Sequence, residues 1–308
     1  MKENNAAQTD LSQMIVPDDD TNSKNPGRVV SINAGRQPMA PAVIAVTSGK
    51  GGVGKTNISV NLAIALGKQG LRTLAVDADL GLANMDIIMG VAPTYTAAEL
   101  VTGEVDVEDV LIEGPNNVWL LPGASGQHDL ANLDDRGRRA FFDAIDTVED
   151  RFDAVVVDTG AGVGSNAMGF ASAARDIVVV VTPEPTSVAD AYGVIKVLST
   201  RCGVRRIRVL VNMTNSNLEG QRVFQRLSNL ASRFLDVFLE HLGNVPKDPV
   251  VPRCVVRGEP FSIIYPDSAA SRAVDNIAQT LLNSNDPDDR QGAIRLFWRK
   301  VLRQGGAK

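Results

Sequence analysis

The sequence predicts a doubly wound α/β fold, with a mostly parallel sheet and helices on both faces. Short runs of β-branched residues alternate with helical stretches from Pro41 onward. The runs are apolar throughout rather than alternating, as expected for strands that are buried on both faces of a parallel sheet. Repeated alternation of strand and helix then indicates one doubly wound domain.

Seven apolar runs are the candidate strands, at residues 43–47, 73–76, 118–121, 154–157, 177–181, 207–211 and 241–245. The helical stretches include residues 57–69, 138–148, 187–199 and 220–233, and a last helix at 268–283 closes the domain. The domain therefore covers residues 41–283, and residues 284–308 form a linker and a separate basic helix. Residues 1–40 are rich in Asn, Asp, Gln and Pro without sustained periodicity, which predicts a disordered N-terminal tail.

Composition narrows the possible functions. The formal net charge of −5 over 308 residues gives no general attraction to nucleic acid, so an anionic partner must meet a local basic patch. The two cysteines are far apart and supply neither a disulfide framework nor a CxxC metal motif. No apolar run approaches the roughly 20 residues that span a bilayer. These features predict a cytoplasmic protein.

A phosphate-binding loop follows the first predicted strand and precedes the first predicted helix. It fits the pattern GxxxxGK[ST] in full, and its residues are Gly49, Lys50, Gly51, Gly52, Val53, Gly54, Lys55 and Thr56, with Asn57 directly after them. The glycines let backbone N–H groups turn toward phosphate oxygens, and the helix adds its positive end. Lys55 is expected to reach the β- and γ-phosphates of ATP, and the Thr56 hydroxyl to bind Mg²⁺.

Two acidic segments follow later strands. Asp77 and Asp79 come after the second strand, and Asp158 ends the fourth, as in a Walker B motif. Gly160 and Gly162 permit a close approach of the backbone to the γ-phosphate. Carboxylates suit ATP hydrolysis, because the metal must be placed and a water aligned. The alternative is that Asp77 and Asp79 only cap the following turn.

Several motifs resemble the MinD/ParA class of deviant Walker A ATPases. KGGVGKT at 50–56 carries the extra lysine of that class, and VDADLGLANMD at 76–86 is similar to its switch pattern DxDxGLxNxD. LLPGASG at 120–126 and EPTSVADAYGVIKVL at 184–198 are more specific. They resemble the flagellar-number regulators of the FlhG (FleN) family more than cell-division MinD. The resemblance covers about residues 41–283.

The resemblance implies roles for individual residues. Lys50 would cross a dimer interface to the partner's nucleotide, and Asn84 would lie near the nucleotide across that interface. Asp77 would hold a magnesium-bound water, and Asp158 would lie near the Mg²⁺ shell. Asp79 would orient the attacking water, so the implied catalytic set is Lys50, Lys55 and Asp79.

The adenine contacts are also implied by resemblance. Asn212, at the end of the 207–211 strand, is a candidate contact to the base, and the loop of Pro246, Lys247 and Asp248 would flank the ring. The alternative for Asn212 is a simple turn residue.

The family resemblance implies an ATPase switch that dimerises with ATP and regulates flagellar number and placement. Implied partners are a GTPase like FlhF, a flagellar switch-complex protein or a flagellar transcription activator. The alternatives are a MinD-like division-site ATPase and a ParA-like DNA-partitioning ATPase. For the latter, a basic cluster could contact DNA: Arg201, Arg205, Arg206 and Arg208.

The C-terminal segment predicts a basic amphipathic helix. At about 100° per residue, one face collects Ile294, Phe297, Trp298, Val301 and Leu302, and basic residues occupy most of the rest. Such a helix suits the surface of an anionic membrane, so we expect reversible association with the inner face of the cell membrane. The alternatives are packing against the domain and binding to a protein groove.

Overall fold

The computed structural model describes residues 42–79, 83–123, 143 and 147–283. The predicted tail at 1–40, most of the predicted helix at 138–148, and the segment 284–308 with its five membrane-facing residues lie outside the described residues. Within the described part of the chain, no helix is long and apolar enough to cross a membrane.

The described strands form one eight-stranded sheet in the order β3-β4-β2-β5-β1-β6-β7-β8. All pairs are parallel except β3 with β4, which is antiparallel. The fold prediction is therefore confirmed. The strands are β1 Ala42–Ser48, β2 Thr73–Ala78, β3 Ile112–Glu113, β4 Val118–Leu121, β5 Ala154–Ala161, β6 Asp176–Val181, β7 Arg206–Thr214 and β8 Phe238–Pro246.

Helices connect the strands and cover both faces of the sheet. In the described residues they are α1 Lys55–Lys68, α2 Met85–Met89, α3 Ala97–Thr102, α4 Val107–Val110, α5 Ser165–Ala173, α6 Pro185–Thr200, α7 Asn217–Phe234, α8 Val250–Arg257, α9 Phe261–Ile264 and α10 Ala269–Asn283. The predictions for α1, α6, α7 and α10 are confirmed to within three residues at each end.

The core lies in two layers because successive side chains of each strand point to opposite faces of the sheet. In β1, Val43 and Ala45 pack with α5, α6 and α7, whereas Ile44 and Val46 pack with α1 and α10. All four side chains are at most 1% exposed. A strand that is buried on both faces has no polar side to alternate with, which explains the continuous apolar runs of the sequence.

The sheet reverses its strand order beside β1, which lies between β5 and β6. In open α/β sheets, ligands bind at such a point, outside the carboxyl ends of the strands. The register of β2 and β5 pairs Asp77 with Asp158 at this edge. The fold thereby brings together acidic residues that are 81 positions apart in sequence.

Candidate nucleotide-binding site

The loop between β1 and α1 has a backbone that only glycine adopts easily. Gly52 and Gly54 have φ angles of 80° and 84°, in the left-handed region that L side chains rarely occupy. Gly54 is the N-cap of α1 and makes no side-chain capping hydrogen bond among the described residues. The backbone N–H groups at this end of the helix and the positive end of the helix dipole together make an anion site.

Close packing explains a further glycine. A Cβ at Gly49 would lie 2.2 Å from the backbone carbonyl carbon of Asp190 in α6. The start of the loop is therefore in direct contact with a helix backbone. By contrast, a Cβ at Gly51 would meet no atom within 4 Å.

Lys55 lies among the acidic residues at the carboxyl edge of the sheet. Its ammonium nitrogen is 2.9 Å from Asp158 Oδ1 and 3.9 Å from Asp79 Oδ2. The Lys55 side chain is 7% exposed and that of Asp158 is 1% exposed. The same Asp158 oxygen accepts a hydrogen bond of 2.9 Å from the Ser59 hydroxyl, one turn further along α1.

Asp77 organises the start of the switch segment. Its Oδ1 accepts from the Asp79 N–H at 3.1 Å, and its Oδ2 accepts from the N–H groups of Asn84 and Met85, each at 2.9 Å. The turn-capping alternative is therefore realised in the geometry. Burial, and then the charge of Asp158, raise the pKa of Asp77 to about 7 against the three hydrogen bonds, which lower it.

The oxygen donors in this pocket fit Mg²⁺. Asp158 Oδ2 is buried and has no hydrogen-bond partner among the described residues, so it is open to a cation. Within those residues, no group of three or more His, Cys, Asp or Glu side chains could form a metal cage. Mg²⁺ typically binds through one or two carboxylates and substrate phosphates, and Asp77, Asp158 and the Thr56 hydroxyl match that donor set.

Lys50 has partners that its sequence position does not reveal. Its ammonium lies 2.5 Å from Glu184 Oε2 and 3.2 Å from the Thr186 hydroxyl. Glu184 immediately precedes α6, and Thr186 lies in its first turn. The two ionic side chains are 31% and 64% exposed, so water screens this pair.

Gly160, near the end of β5, and Gly162, just after it, lie close to Asp79 and to the end of β1, where the phosphate loop begins. The Gly162 N–H donates to the Ser48 carbonyl at 2.8 Å, and Gly162 has a φ of 87°. A Cβ at Gly160 would lie 3.5 Å from Asp79 Oδ1. A change at the end of β5 would therefore reach both the start of the phosphate loop and the acidic residue beside it.

Asn212 contacts the phosphate loop rather than standing alone as a turn residue. Its amide nitrogen donates to the Val53 carbonyl at 2.8 Å, and its amide oxygen accepts from the Met213 N–H at 2.9 Å. Met213 has a φ of 58°, a backbone conformation that is uncommon for residues other than glycine. The end of β7 is thus fixed against the nucleotide loop.

The predicted base-flanking loop also has a structural role. The Lys247 N–H donates to the Thr214 carbonyl at 2.8 Å, directly after Pro246 ends β8. Asp248 accepts from the N–H of Val250 at 3.0 Å and from that of Ala270 at 3.1 Å. One carboxylate therefore stabilises the starts of both α8 and α10.

Residues 44–261 match the CobQ/CobB/MinD/ParA nucleotide binding domain family. The chain belongs to this family. A relative in Pseudomonas aeruginosa, the antiactivator FleN, is 41% identical over 260 residues, which cover 84% of this chain and 93% of FleN. The flagellum site-determining protein YlxH of Helicobacter pylori is 33% identical over 269 residues, covering 85% of this chain and 90% of YlxH.

A solved structure of the family also aligns with this fold. It is the septum site-determining protein MinD of Pyrococcus horikoshii in complex with Mg-ADP, with a TM-score of 0.66 and 26% identity. The alignment covers 79% of this chain and 98% of that chain. The likeness confirms a MinD-like P-loop fold for the protein.

In this MinD/ParA-family protein, the arginine cluster lies far from the nucleotide site. Arg206 begins β7, whereas the phosphate loop follows the end of β1 in the same parallel sheet. The guanidinium of Arg206 lies 2.7 Å from Glu240, and that of Arg208 lies 2.9 Å from Asp176. Arg205 pairs with Asp236 at 2.6 Å. Three of the four charges are therefore offset by acidic partners.

Sequence reasoning missed three residues of the site. Ser59 is one turn beyond the loop motif, and its one-turn spacing from Lys55 is the signal that could have found it. Glu184 and Asp190 were seen only as parts of a family motif. Their contacts with Lys50 and Gly49 depend on tertiary packing that no local pattern reports.

Proposed function

We propose that this protein is an ATP-dependent molecular switch that regulates the number and placement of flagella. It binds ATP with Mg²⁺, dimerises in that state and hydrolyses ATP. The observation that carries the proposal is the 41% identity to the antiactivator FleN over 93% of that protein's length. The likeness to YlxH, a flagellum site-determining protein, supports the same assignment.

The chemistry of the site supports ATP hydrolysis. Lys55 carries its charge to the β- and γ-phosphates, while Thr56, Asp77 and Asp158 hold Mg²⁺ directly or through its waters. Mg²⁺ would neutralise the phosphate charge that develops in the reaction. Asp79 is 27% exposed on its side chain and lies 3.9 Å from the Lys55 ammonium, a position suited to orienting the attacking water.

The dimer requires Lys50 to reach the nucleotide of a second copy, where Asn84 also contributes to the interface. Its present partner Glu184 does not prevent this movement, because an exposed ion pair contributes only about 0–1 kcal/mol. Phosphate oxygens offer several charge-assisted hydrogen bonds in exchange. The segment at the end of β5 that contains Gly160 and Gly162 would sense the γ-phosphate beside this lysine.

The base is held at the ends of β7 and β8. We assign it to Asn212 and to the loop of Pro246, Lys247 and Asp248. Asn212 is 6% exposed and already bonded to the phosphate loop, so a base contact there would be linked to the phosphate site. Asp248 adds rigidity through the two helix starts that it stabilises.

The partners follow from the flagellar role. A flagellar transcription activator fits the word antiactivator in the name of FleN, and a GTPase like FlhF or a switch-complex protein fits a placement role. The protein would act in the cytoplasm and associate reversibly with the inner face of the cell membrane through the 284–308 segment.

The test combines biochemistry and cell counts. We expect the purified protein to release phosphate from ATP with Mg²⁺, and to double its mass in light scattering with ATP but not with ADP. Deleting the gene in the source organism should change the number of flagella per cell in electron micrographs. Unchanged flagella in the deletion strain would exclude the flagellar role, whatever the ATPase activity.

DNA partitioning is the weaker alternative. Three of the four arginines that could bind a duplex are offset by Asp176, Asp236 and Glu240, and Arg208 is 2% exposed. A DNA-binding surface needs lysines and arginines free to replace counterions on phosphates.

A further inference from the structure

Ser59 lies in α1, and its side chain binds Asp158, the Walker B carboxylate at the end of the β5 apolar run. It is fully buried, and its hydroxyl lies 2.9 Å from Asp158 Oδ1 and 3.1 Å from the Lys55 carbonyl. A serine hydroxyl has one proton, so it donates to one of these oxygens at a time. The bond to the carboxylate is favoured, because charge-assisted hydrogen bonds are the stronger ones.

Asp158 receives its two donors on a single oxygen. Oδ1 accepts from both Lys55 and Ser59, each at 2.9 Å. The other oxygen, Oδ2, is buried without a hydrogen-bond partner among the described residues. The two donors therefore fix the carboxylate so that Oδ2 is left for a different ligand.

The two donors to Asp158, Lys55 and Ser59, differ in whether phosphates compete for their protons. The Lys55 ammonium has three protons, and phosphates compete for them when a nucleotide binds. Each proton that it gives to a phosphate weakens its hold on Asp158. Ser59 lies one turn further along α1 than Lys55, outside the phosphate-loop motif, so its hydroxyl is not among the groups expected to bind phosphate.

We propose that Ser59 is a positioning residue for the nucleotide-bound state. Its hydroxyl keeps the Asp158 carboxylate oriented while Lys55 donates its protons to the phosphates. Lys55 can then bind the nucleotide without Asp158 losing its orientation. The proposal rests on the proposed function, since it assumes that the site binds an adenine nucleotide with Mg²⁺. It predicts that the Ser59–Asp158 bond matters more with nucleotide than without it.

The experiment is calorimetric titration of the full chain with ADP and Mg²⁺. Ser59→Ala should weaken ADP binding by up to about tenfold. The bond also exists without nucleotide, so only the extra strength that it gains in the bound state changes the affinity. The matched control is Ser199→Ala, which removes another buried helical hydroxyl, bonded to the Asp236 carbonyl. Ser199→Ala should bind ADP as the wild type does.

A second background separates positioning from packing. In an Asp158→Asn protein, adding Ser59→Ala should change ADP affinity by less than about twofold, because residues that act on one group are not additive. A packing role would give the same loss in both backgrounds. Thermal unfolding without nucleotide checks that each variant is folded.

The outcomes are distinct. Equal ADP affinity of Ser59→Ala and the wild type, or the same fold-loss from Ser59→Ala in the Asp158→Asn background as in the wild-type background, would overturn the role of Ser59. If the wild type itself fails to bind ADP with Mg²⁺, it is the proposed function that fails.

Discussion

At the scale of single residues, the site places two carboxylates of like charge next to each other. Asp77 and Asp158 are paired in register on neighbouring strands, and they are 3% and 0% exposed. After burial, the charge of Asp158 is the second cause that disfavours the ionised form of Asp77 and raises its pKa. Lys55 and the backbone N–H groups around Asp77 offset part of this cost, and Mg²⁺ would offset more when bound.

The raised pKa of Asp77 predicts a pH-dependent stability of the nucleotide-free protein. Between the ordinary pKa of 3.8 and the folded value of about 7, the folded state keeps a proton that the unfolded state has released. The free energy of unfolding should therefore fall as pH rises through this window, by up to about 1 kcal/mol per pH unit. Above the window, Asp77 adds no further loss.

Urea unfolding in EDTA from pH 5 to pH 8 measures this slope. The control is Asp77→Asn, which cannot titrate and keeps one acceptor oxygen. The wild type should lose more stability with rising pH than Asp77→Asn does. Parallel curves for the two proteins would show that Asp77 does not titrate in this range.

Lys55→Ala should abolish tight ATP binding. The ammonium supplies positive charge to the β- and γ-phosphates from inside the site, where its side chain is 7% exposed. The other lysine of the loop, Lys50, is 31% exposed and lies at the rim of the site. The matched control is Lys68→Ala at the far end of the same helix, where the ammonium donates to the Ser262 carbonyl at 2.7 Å. Calorimetry should show tight ATP binding for the wild type and for Lys68→Ala, but not for Lys55→Ala. ATP affinity retained in Lys55→Ala would mean that the loop is not the site.

At the scale of elements, the strands were predictable because burial on both faces leaves an unbroken apolar run. The predicted strand at 118–121 coincides with β4, and β1 is one residue longer at each end. β7 and β8 extend further, because polar residues such as Asn212 and Glu240 still form ladder pairs. Their pairing is set by the neighbouring strand rather than by local hydropathy.

Short helices were missed for a different reason. α8 has the sequence VVPRCVVR, and its valines and Pro252 have poor intrinsic helix propensity. Its formation depends on Asp248, which accepts from the Val250 N–H, and on the buried Cys254. Such tertiary support has no signature in the local sequence. The same holds for Lys50 and Glu184, which meet across 134 positions.

The contact between the phosphate loop and α6 gives a prediction at this scale. Gly49→Ala should destabilise the nucleotide-free protein by about 1–3 kcal/mol, because the added Cβ overlaps a helix backbone that cannot move alone. Gly51→Ala is the matched control, since a Cβ there meets no atom within 4 Å. Thermal unfolding should separate the two variants by several degrees. Similar melting temperatures would mean that α6 is not tightly packed on the loop.

At the scale of the whole molecule, ATP binding and dimerisation are expected to depend on different residues. Asp79 lies inside the site beside Lys55, whereas Lys50 is half-exposed at its rim. The Asp79 carboxylate could be removed without losing ground-state contacts to ATP. The Lys50 ammonium can be reached by a partner molecule.

Asp79→Ala should bind ATP, hydrolyse it poorly and accumulate as a dimer. Lys50→Ala should remain monomeric with ATP, because its charge is needed across the interface. Light scattering with ATP and Mg²⁺ measures the mass of each variant, and phosphate release measures turnover. If both variants have the same mass distribution, the proposed division of roles is wrong.

Attachment to a membrane is the last prediction at the scale of the whole molecule. From Arg290 to the end, the chain has six basic residues and no acidic ones, and each is worth about 1 kcal/mol near an anionic surface. A dimer presents two such segments, so ATP should strengthen attachment through avidity. Anionic vesicles should therefore pellet the full chain more with ATP than with ADP, and should not pellet a chain truncated after Asp289.

Replacing both Phe297 and Trp298 with Ala keeps the charge of the segment and should still weaken pelleting, because aromatic side chains of such a helix would enter the headgroup boundary. Equal pelleting of the full and truncated chains would exclude membrane binding by this segment and favour a protein partner instead.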